Sequence, residues 1–178
     1  MNRKLQVLAR LTLLMIIGAL LSPNALGGLS ASAATPSVTV LSDIFHREVN
    51  GKFTDDALGE SISYFGDLYK KVSDAPKSTA WVIDPQLIEE LIDMSDGYTV
   101  LPNEAGKFTD AAKTFLTLLR ASIGENQVFA LPYGAPDIAV RKKISDVELA
   151  QIQSISALRL ARALDIPVSA GLPVGLPL

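Results

Sequence analysis

From residue 37 onward, four short apolar runs divide the chain: Ser37-Val38-Thr39-Val40-Leu41, Ala80-Trp81-Val82-Ile83, Val128-Phe129-Ala130-Leu131 and Pro167-Val168-Ser169-Ala170. Near-continuous apolarity over so few residues is the pattern of strands covered on both faces, as in a parallel sheet. Between the runs, apolar residues recur at helical spacing. Leu58, Ile62, Phe65, Leu68 or Tyr69, and Val72 make one stripe, and Leu87, Ile88, Leu91 and Ile92 a second. Ala112, Phe115, Leu116, Leu119 and Ile123 make a third, which Gly124 is placed to cap. A fourth runs from Leu149 to Leu164 behind Ser145-Asp146-Val147-Glu148, a capping-box pattern. Strands alternating with helices predict an α/β fold with right-handed crossovers. Four such units are half of an eight-stranded barrel, which takes about 250 residues. The expectation is therefore a partial (β/α) barrel-like parallel sheet over residues 35–178, belonging to a longer parent. A sheet that stops there leaves an open edge, and self-association through that edge is expected.

The N-terminus reads differently. Arg3, Lys4 and Arg10 precede an uncharged apolar run from Leu11 to Leu21, and small residues follow, ending in Ala31-Ser32-Ala33-Ala34. A basic start, a short apolar core and an A-x-A-like site describe a secretory signal peptide over residues 1–34, cleaved after Ala33 or Ala34. Eleven residues rise only about 16 Å as a helix, against roughly 30 Å of hydrocarbon, which disfavours a membrane anchor. The chain is expected to be exported, to the cell envelope or beyond it.

Export sharpens what the composition excludes. With no cysteine, the fold has no disulfide to lean on, and thiol chemistry and Cys-ligated metal sites are excluded. One histidine, His46, leaves no route to a multi-histidine metal centre, so neither metal nor cofactor is expected. Removing the leader leaves 13 basic against 19 acidic residues, a net charge of −6, which argues against nucleic acid as a partner. The sequence contains no Gly-x-Ser-x-Gly elbow, phosphate-binding glycine loop or dinucleotide fingerprint.

What remains is carboxylate chemistry. Ligands of parallel β/α folds bind beyond the carboxyl ends of the strands. That rule selects Asp43 after the first run, Asp84 after the second, and Tyr133 and Asp137 after the third. Asp43, Asp84 and Asp137 are the candidate catalytic residues, since paired carboxylates can cleave glycosidic bonds. Tyr133, Asp84 and Asp137 are the candidate ligand-binding residues, with Tyr133 in the stiff turn Pro132-Tyr133-Gly134-Ala135-Pro136. Each has a purely structural alternative. Asp84 before Pro85 is the pattern of an N-cap with proline at the first helical position. Asp137 is likewise placed to cap, and Tyr133 to pack beneath its turn. Trp81 inside a strand run reads as core, His46 as a half-exposed loop residue, and Arg141-Lys142-Lys143 as a solvated helix end. The pentapeptide Gly-Lys-Phe-Thr-Asp occurs twice, at 51–55 and 106–110, ahead of a helical stripe each time. It reads either as two similar helix entrances, with threonine as N-cap, or as a duplicated β/α unit. Phe53 is placed to pack on Leu58 as a hydrophobic staple.

Several motifs in order resemble the β/α region of a large exported actinobacterial family of unknown function. They are Val38-Thr-Val-Leu41, Gly51-Lys-Phe-Thr-Asp-Asp-Ala-Leu58, Trp81-Val-Ile-Asp-Pro-Gln-Leu-Ile88, Met94-Ser-Asp-Gly-Tyr-Thr-Val100 and Ala130-Leu-Pro-Tyr-Gly-Ala-Pro-Asp137. The likeness covers about 100 of the 144 residues after the leader. That region is similar in fold to the barrels of glycoside hydrolases and polysaccharide deacetylases, and family members are longer, with β-sandwich segments and a membrane helix. Two departures stand out. Ala135-Pro136-Asp137 replaces the family's Asp-Pro-Asp, removing one rim carboxylate, and Leu41-Ser42-Asp43 stands where the family has Leu-Trp-Pro. The reading that follows is an exported cell-envelope protein that binds an envelope glycan or a membrane partner. The alternatives are a carbohydrate-active hydrolase or deacetylase using the rim carboxylates, and an inactive truncated fragment.

Overall fold

Thr79–Ile83 is the middle strand of a three-stranded parallel sheet and is buried along its whole length. The computed structural model describes residues 37–136, 140 and 142–173. The expected signal peptide, Asp137, Arg141 and the last five residues of the uncharged tail lie outside the described residues. In chain order the elements are β1 (Ser37–Leu41), α1 (Ala57–Ile62), α2 (Asp67–Ser73), β2 (Thr79–Ile83), α3 (Pro85–Asp96), β3 (Thr99–Val100), β4 (Glu104–Ala105), α4 (Thr109–Ile123), β5 (Val128–Ala130) and α5 (Asp146–Leu164). The main sheet runs β1-β2-β5, so neighbours in space follow the order of the chain. The fold is α/β.

Register shows which face the helices cover. Leu41 pairs with Ile83 and Ile83 with Ala130, while Val40 pairs with Val82 and Val82 with Phe129. Because side chains alternate along a strand, these two rows lie on opposite faces. The core packed with the helices takes Leu41, Trp81, Ile83, Val128 and Ala130 from the sheet, all of one parity. It meets Leu87, Ile88, Leu91 and Met94 of α3 and Phe115 and Leu119 of α4. Trp81 is fully buried there, as its place in an apolar run predicts.

The local signals at several helix ends act as read. Ser145 Oγ accepts the Glu148 N–H at 3.3 Å, and the Glu148 carboxylate accepts the Ser145 N–H at 3.0 Å, completing the capping box of α5. Gly124 ends α4 with φ +50. Lys142 and Lys143 are exposed, and the Lys143 N–H donates to the carbonyl of helical Val140 at 3.0 Å, ahead of α5.

Three expectations are corrected. The fourth apolar run is no strand: only Ser169 pairs, in a single parallel bridge to Phe129, with its N–H donating to the Val128 carbonyl at 2.9 Å. Pro167 has no N–H to extend that ladder. The first helical stripe is broken into α1 and α2, and Phe65, expected on its buried face, is 78% exposed. A Cβ at Gly66 would lie 2.1 Å from the Ser61 carbonyl oxygen, so the tight turn there admits only glycine. Finally, neither repeated threonine caps a helix. The residues at the cap positions are Asp56 and Phe108, with no side-chain capping bond at either. Thr54 Oγ1 donates instead to the His46 carbonyl, and the Asp55 carboxylate accepts the Ala57 N–H.

The two copies of the pentapeptide meet around Tyr98. The Phe53 ring lies 4.9 Å from that of Tyr98, edge-on. The Tyr98 hydroxyl donates to Asp56 Oδ1 at 2.5 Å and accepts the Phe108 N–H at 3.3 Å. Burial and the bond to Asp56 raise the Tyr98 pKa, so the phenol stays protonated as the donor. Phe108 in turn lies against Gly59 of α1, where a Cβ would be 2.3 Å from its ring. Gly59→Ala is therefore expected to cost about 1–3 kcal/mol of stability by overpacking, measured as a lower denaturation midpoint in urea.

Candidate functional site at the strand-end rim

Asp84 follows the last residue of β2 and is fully buried. Its backbone N–H donates to the Leu41 carbonyl at 2.9 Å, continuing the sheet by one step. Its Oδ1 accepts the Gln86 N–H at 2.9 Å, capping α3 with Pro85 at the first helical position. The same oxygen accepts the Gly134 N–H at 3.1 Å, which ties the Pro132–Pro136 turn to the head of α3. Oδ2 has no hydrogen-bond partner. Loss of water pushes the Asp84 pKa up to about 6; the two backbone N–H groups oppose that shift, and the nearby Glu89 adds to it. The capping role read from Asp-Pro is thus present, and the other oxygen remains unspent.

Tyr133 is also held on both sides. Its N–H donates to the buried Ser156 Oγ at 3.0 Å, and its hydroxyl donates to Glu89 Oε2 at 3.0 Å. Arg159 grips the same carboxylate with two bonds of 2.7 and 2.6 Å, and its guanidinium lies 4.3 Å from the centre of the Tyr133 ring. This arrangement is a bidentate ion pair with a cation–π contact. It leaves one face of the ring covered. Burial first, and the bond to Glu89 second, raise the Tyr133 pKa. The turn itself uses two left-handed residues, Gly134 at φ +73 and Ala135 at φ +36. Alanine at positive φ carries strain that Asp or Asn would bear more easily.

Asp43 is placed apart from this set. Its Oδ1 accepts the N–H of Ile44 at 2.8 Å, and its Oδ2 lies 3.9 Å from His46 Nε2. His46 is buried rather than half-exposed, with its Nδ1 3.2 Å from Asp55 Oδ1. No hydrogen bond joins Asp43 to Asp84 among the described residues, and Asp137 lies outside them.

Sequence reasoning missed four residues here: Gln86, Glu89, Glu90 and Arg159. Glu90 of α3 is fully buried; its Oε1 accepts the His46 N–H at 3.2 Å, and desolvation raises its pKa. Among the described residues, five buried side-chain polar atoms lack a hydrogen-bond partner. Four of them belong to the rim: Asp84 Oδ2, Gln86 Nε2, Glu90 Oε2 and His46 Nε2. Unmet buried polar atoms are costly, so their concentration among Asp84, Gln86, Glu90 and His46 makes this end of the sheet the candidate site. A polar pair at i and i+4, Gln86 with Glu90, sits amid the apolar stripe of α3 and could have flagged it from sequence.

Comparison of the chain with protein-family models, curated proteins and solved structures finds no match. The likeness to the exported family therefore rests on the motifs quoted above.

The buried Asp84 has a measurable linkage. Folding raises its pKa from 3.8 to about 6, so the folded state keeps a proton that the unfolded chain gives up. Stability from this group is fully present below pH 4 and is lost as the pH rises through 6. That difference corresponds to about 3 kcal/mol. Asparagine caps equally well and does not ionise. Asp84→Asn is expected to lose this fall between pH 4 and 6, and to be more stable than the parent at pH 7 in urea titrations.

Proposed function

We propose that the protein is exported to the cell envelope and binds an envelope glycan at the strand-end rim. The observation that carries this reading is the group of four buried polar atoms with unmet hydrogen bonds at Asp84, Gln86, Glu90 and His46. Two carboxylate oxygens accept and an amide donates, and sugar hydroxyls supply both complements at once. The Pro132–Pro136 turn meets Asp84 by a single backbone bond from Gly134, the one contact a ligand at that carboxylate has to displace. The leader pattern at residues 1–34 supports export, and the charge of −6 after its removal disfavours an anionic surface as the target.

The sheet in chain order, with helix-packed residues of one parity only, supports a singly wound, barrel-like arrangement in which Val40, Val82 and Phe129 face inward. Among the described residues β1 pairs on one side only, and that edge supports self-association of the chain, which light scattering tests: mass is expected to rise with concentration. The hydrolase or deacetylase alternative keeps one observation, the Asp84 pKa of about 6, which suits a general acid. Against it, Asp43 is engaged by its own turn and by His46, and Ala135 has no carboxyl group.

The test is retention of the full chain on purified envelope polysaccharide. Tyr133→Ala releases Glu89 and Arg159 from the turn and is expected to weaken retention at least fivefold, with the fold intact by circular dichroism. Binding should also shift the Gly134 amide resonance. Retention on no envelope polysaccharide defeats the reading.

A further inference from the structure

We propose that the turn between α1 and α2 is a second saccharide-binding surface, a corner in which one ring of the Tyr64–Phe65 pair stacks on the C–H face of a neutral pyranose and the other meets its rim. This rests on the glycan reading above and adds a site separate from the rim.

The turn is built to present these rings. Gly66 donates its N–H to the Ser63 carbonyl at 2.7 Å, which makes Tyr64 and Phe65 the two central residues of a tight turn. Glycine is obligatory there because a Cβ at Gly66 would meet the backbone oxygens of Ser61 and Glu60 at 2.1 and 2.4 Å. An unbroken helix would carry Phe65 on the apolar stripe with Ile62, Leu68 and Val72, which are all buried. The break turns it outward instead, leaving Tyr64 and Phe65 at 68% and 78% exposure.

Exposed rings on a surface turn are normally loose, but these are braced. Tyr69 packs against the hydrophobic core. Tyr64 leans on Tyr69 at 5.3 Å between centroids, and Phe65 meets Tyr64 at 4.7 Å with the rings nearly perpendicular, 84°. The chain of contacts runs from the core to the tip and fixes a corner in which one ring shows a face beside the edge of the other. Binding then loses little rotamer freedom, because the rings are already placed.

Three features select a sugar ring as the occupant. The negative faces of aromatic rings attract the weakly positive C–H groups that a pyranose presents on one side. The Tyr64 hydroxyl bonds to no described residue, and the exposed carboxylates Glu60 and Asp67 flank the turn, so groups able to meet sugar hydroxyls border the rings. The nearby charges, Glu60, Asp67 and Asp74 against Lys70 and Lys71, sum to −1, which is a poor match for anionic lipid. Two side chains are also far short of the roughly 800 Å² per partner that a stable protein interface buries.

The test uses the full chain, co-sedimented with insoluble envelope polysaccharide and, separately, with phosphatidylcholine vesicles. Both rings are exposed, so Tyr64→Ala/Phe65→Ala leaves the fold unchanged by circular dichroism. The double variant is expected to bind the polysaccharide about tenfold more weakly, as loss of aromatic anchors does at other interfaces. A soluble tetramer of β-1,4-linked N-acetylglucosamine is expected to perturb the Tyr64 ring resonances. If Tyr133→Ala abolishes retention while the double variant binds like the parent, the second surface is overturned and the rim reading stands. If the parent binds vesicles and not polysaccharide, and the double variant loses that binding, the turn is a membrane contact and the saccharide proposal fails. If the parent binds neither material, both readings fail together.

Discussion

The carboxyl group of Asp84 joins three parts of the molecule that sequence separates. Its residue extends the β1–β2 ladder by one backbone bond, its Oδ1 starts α3, and the same oxygen holds the turn after β5. A neutral side chain could cap and tether, but at neutral pH an ionised carboxylate does so at a cost in desolvation. The chain keeps that cost at the end of the sheet where parallel folds bind their ligands. Stability is surrendered there, and the rest of the core, almost wholly apolar, supplies it.

Around this centre the rim residues fall into two sets. Asp84, Gln86, Glu90 and His46 are buried and incompletely bonded. Tyr133, Glu89 and Arg159 satisfy one another and fasten the turn to α5, in a grip that depends on side chains 70 positions apart. The first set is the one on which the proposed binding rests.

The parts of this picture that were legible from sequence are those whose physics is local. Asp84-Pro85 and Ser145 to Glu148 announce their caps because donor and acceptor lie within three residues of each other. The three paired strands follow from apolar runs, and the fourth run finds its place beside β5 but makes one bridge only. Periodicity failed at Phe65 because it records spacing and not the turn that Gly66 imposes. The threonines of the repeat have the composition of caps, yet the nearby Tyr98 hydroxyl and the His46 carbonyl recruit the segment for tertiary bonds. His46 looked half-exposed because its burial comes from Glu90 and Asp55, one of them 44 residues away. The Glu89–Arg159 pair has no local signature at all.

Trp81, the single tryptophan, lies in the middle strand at full burial, while the aromatic side chains that carry the proposed binding are tyrosines and a phenylalanine near the surface. The molecule therefore has two separate optical channels. Indole emission reports whether the sheet and its helices remain packed, and tyrosine signals, those of Tyr98 apart, report events at the rim and the α1–α2 turn. A ligand that perturbs the second and leaves the first unchanged is bound to a folded protein, and the distinction needs no added label.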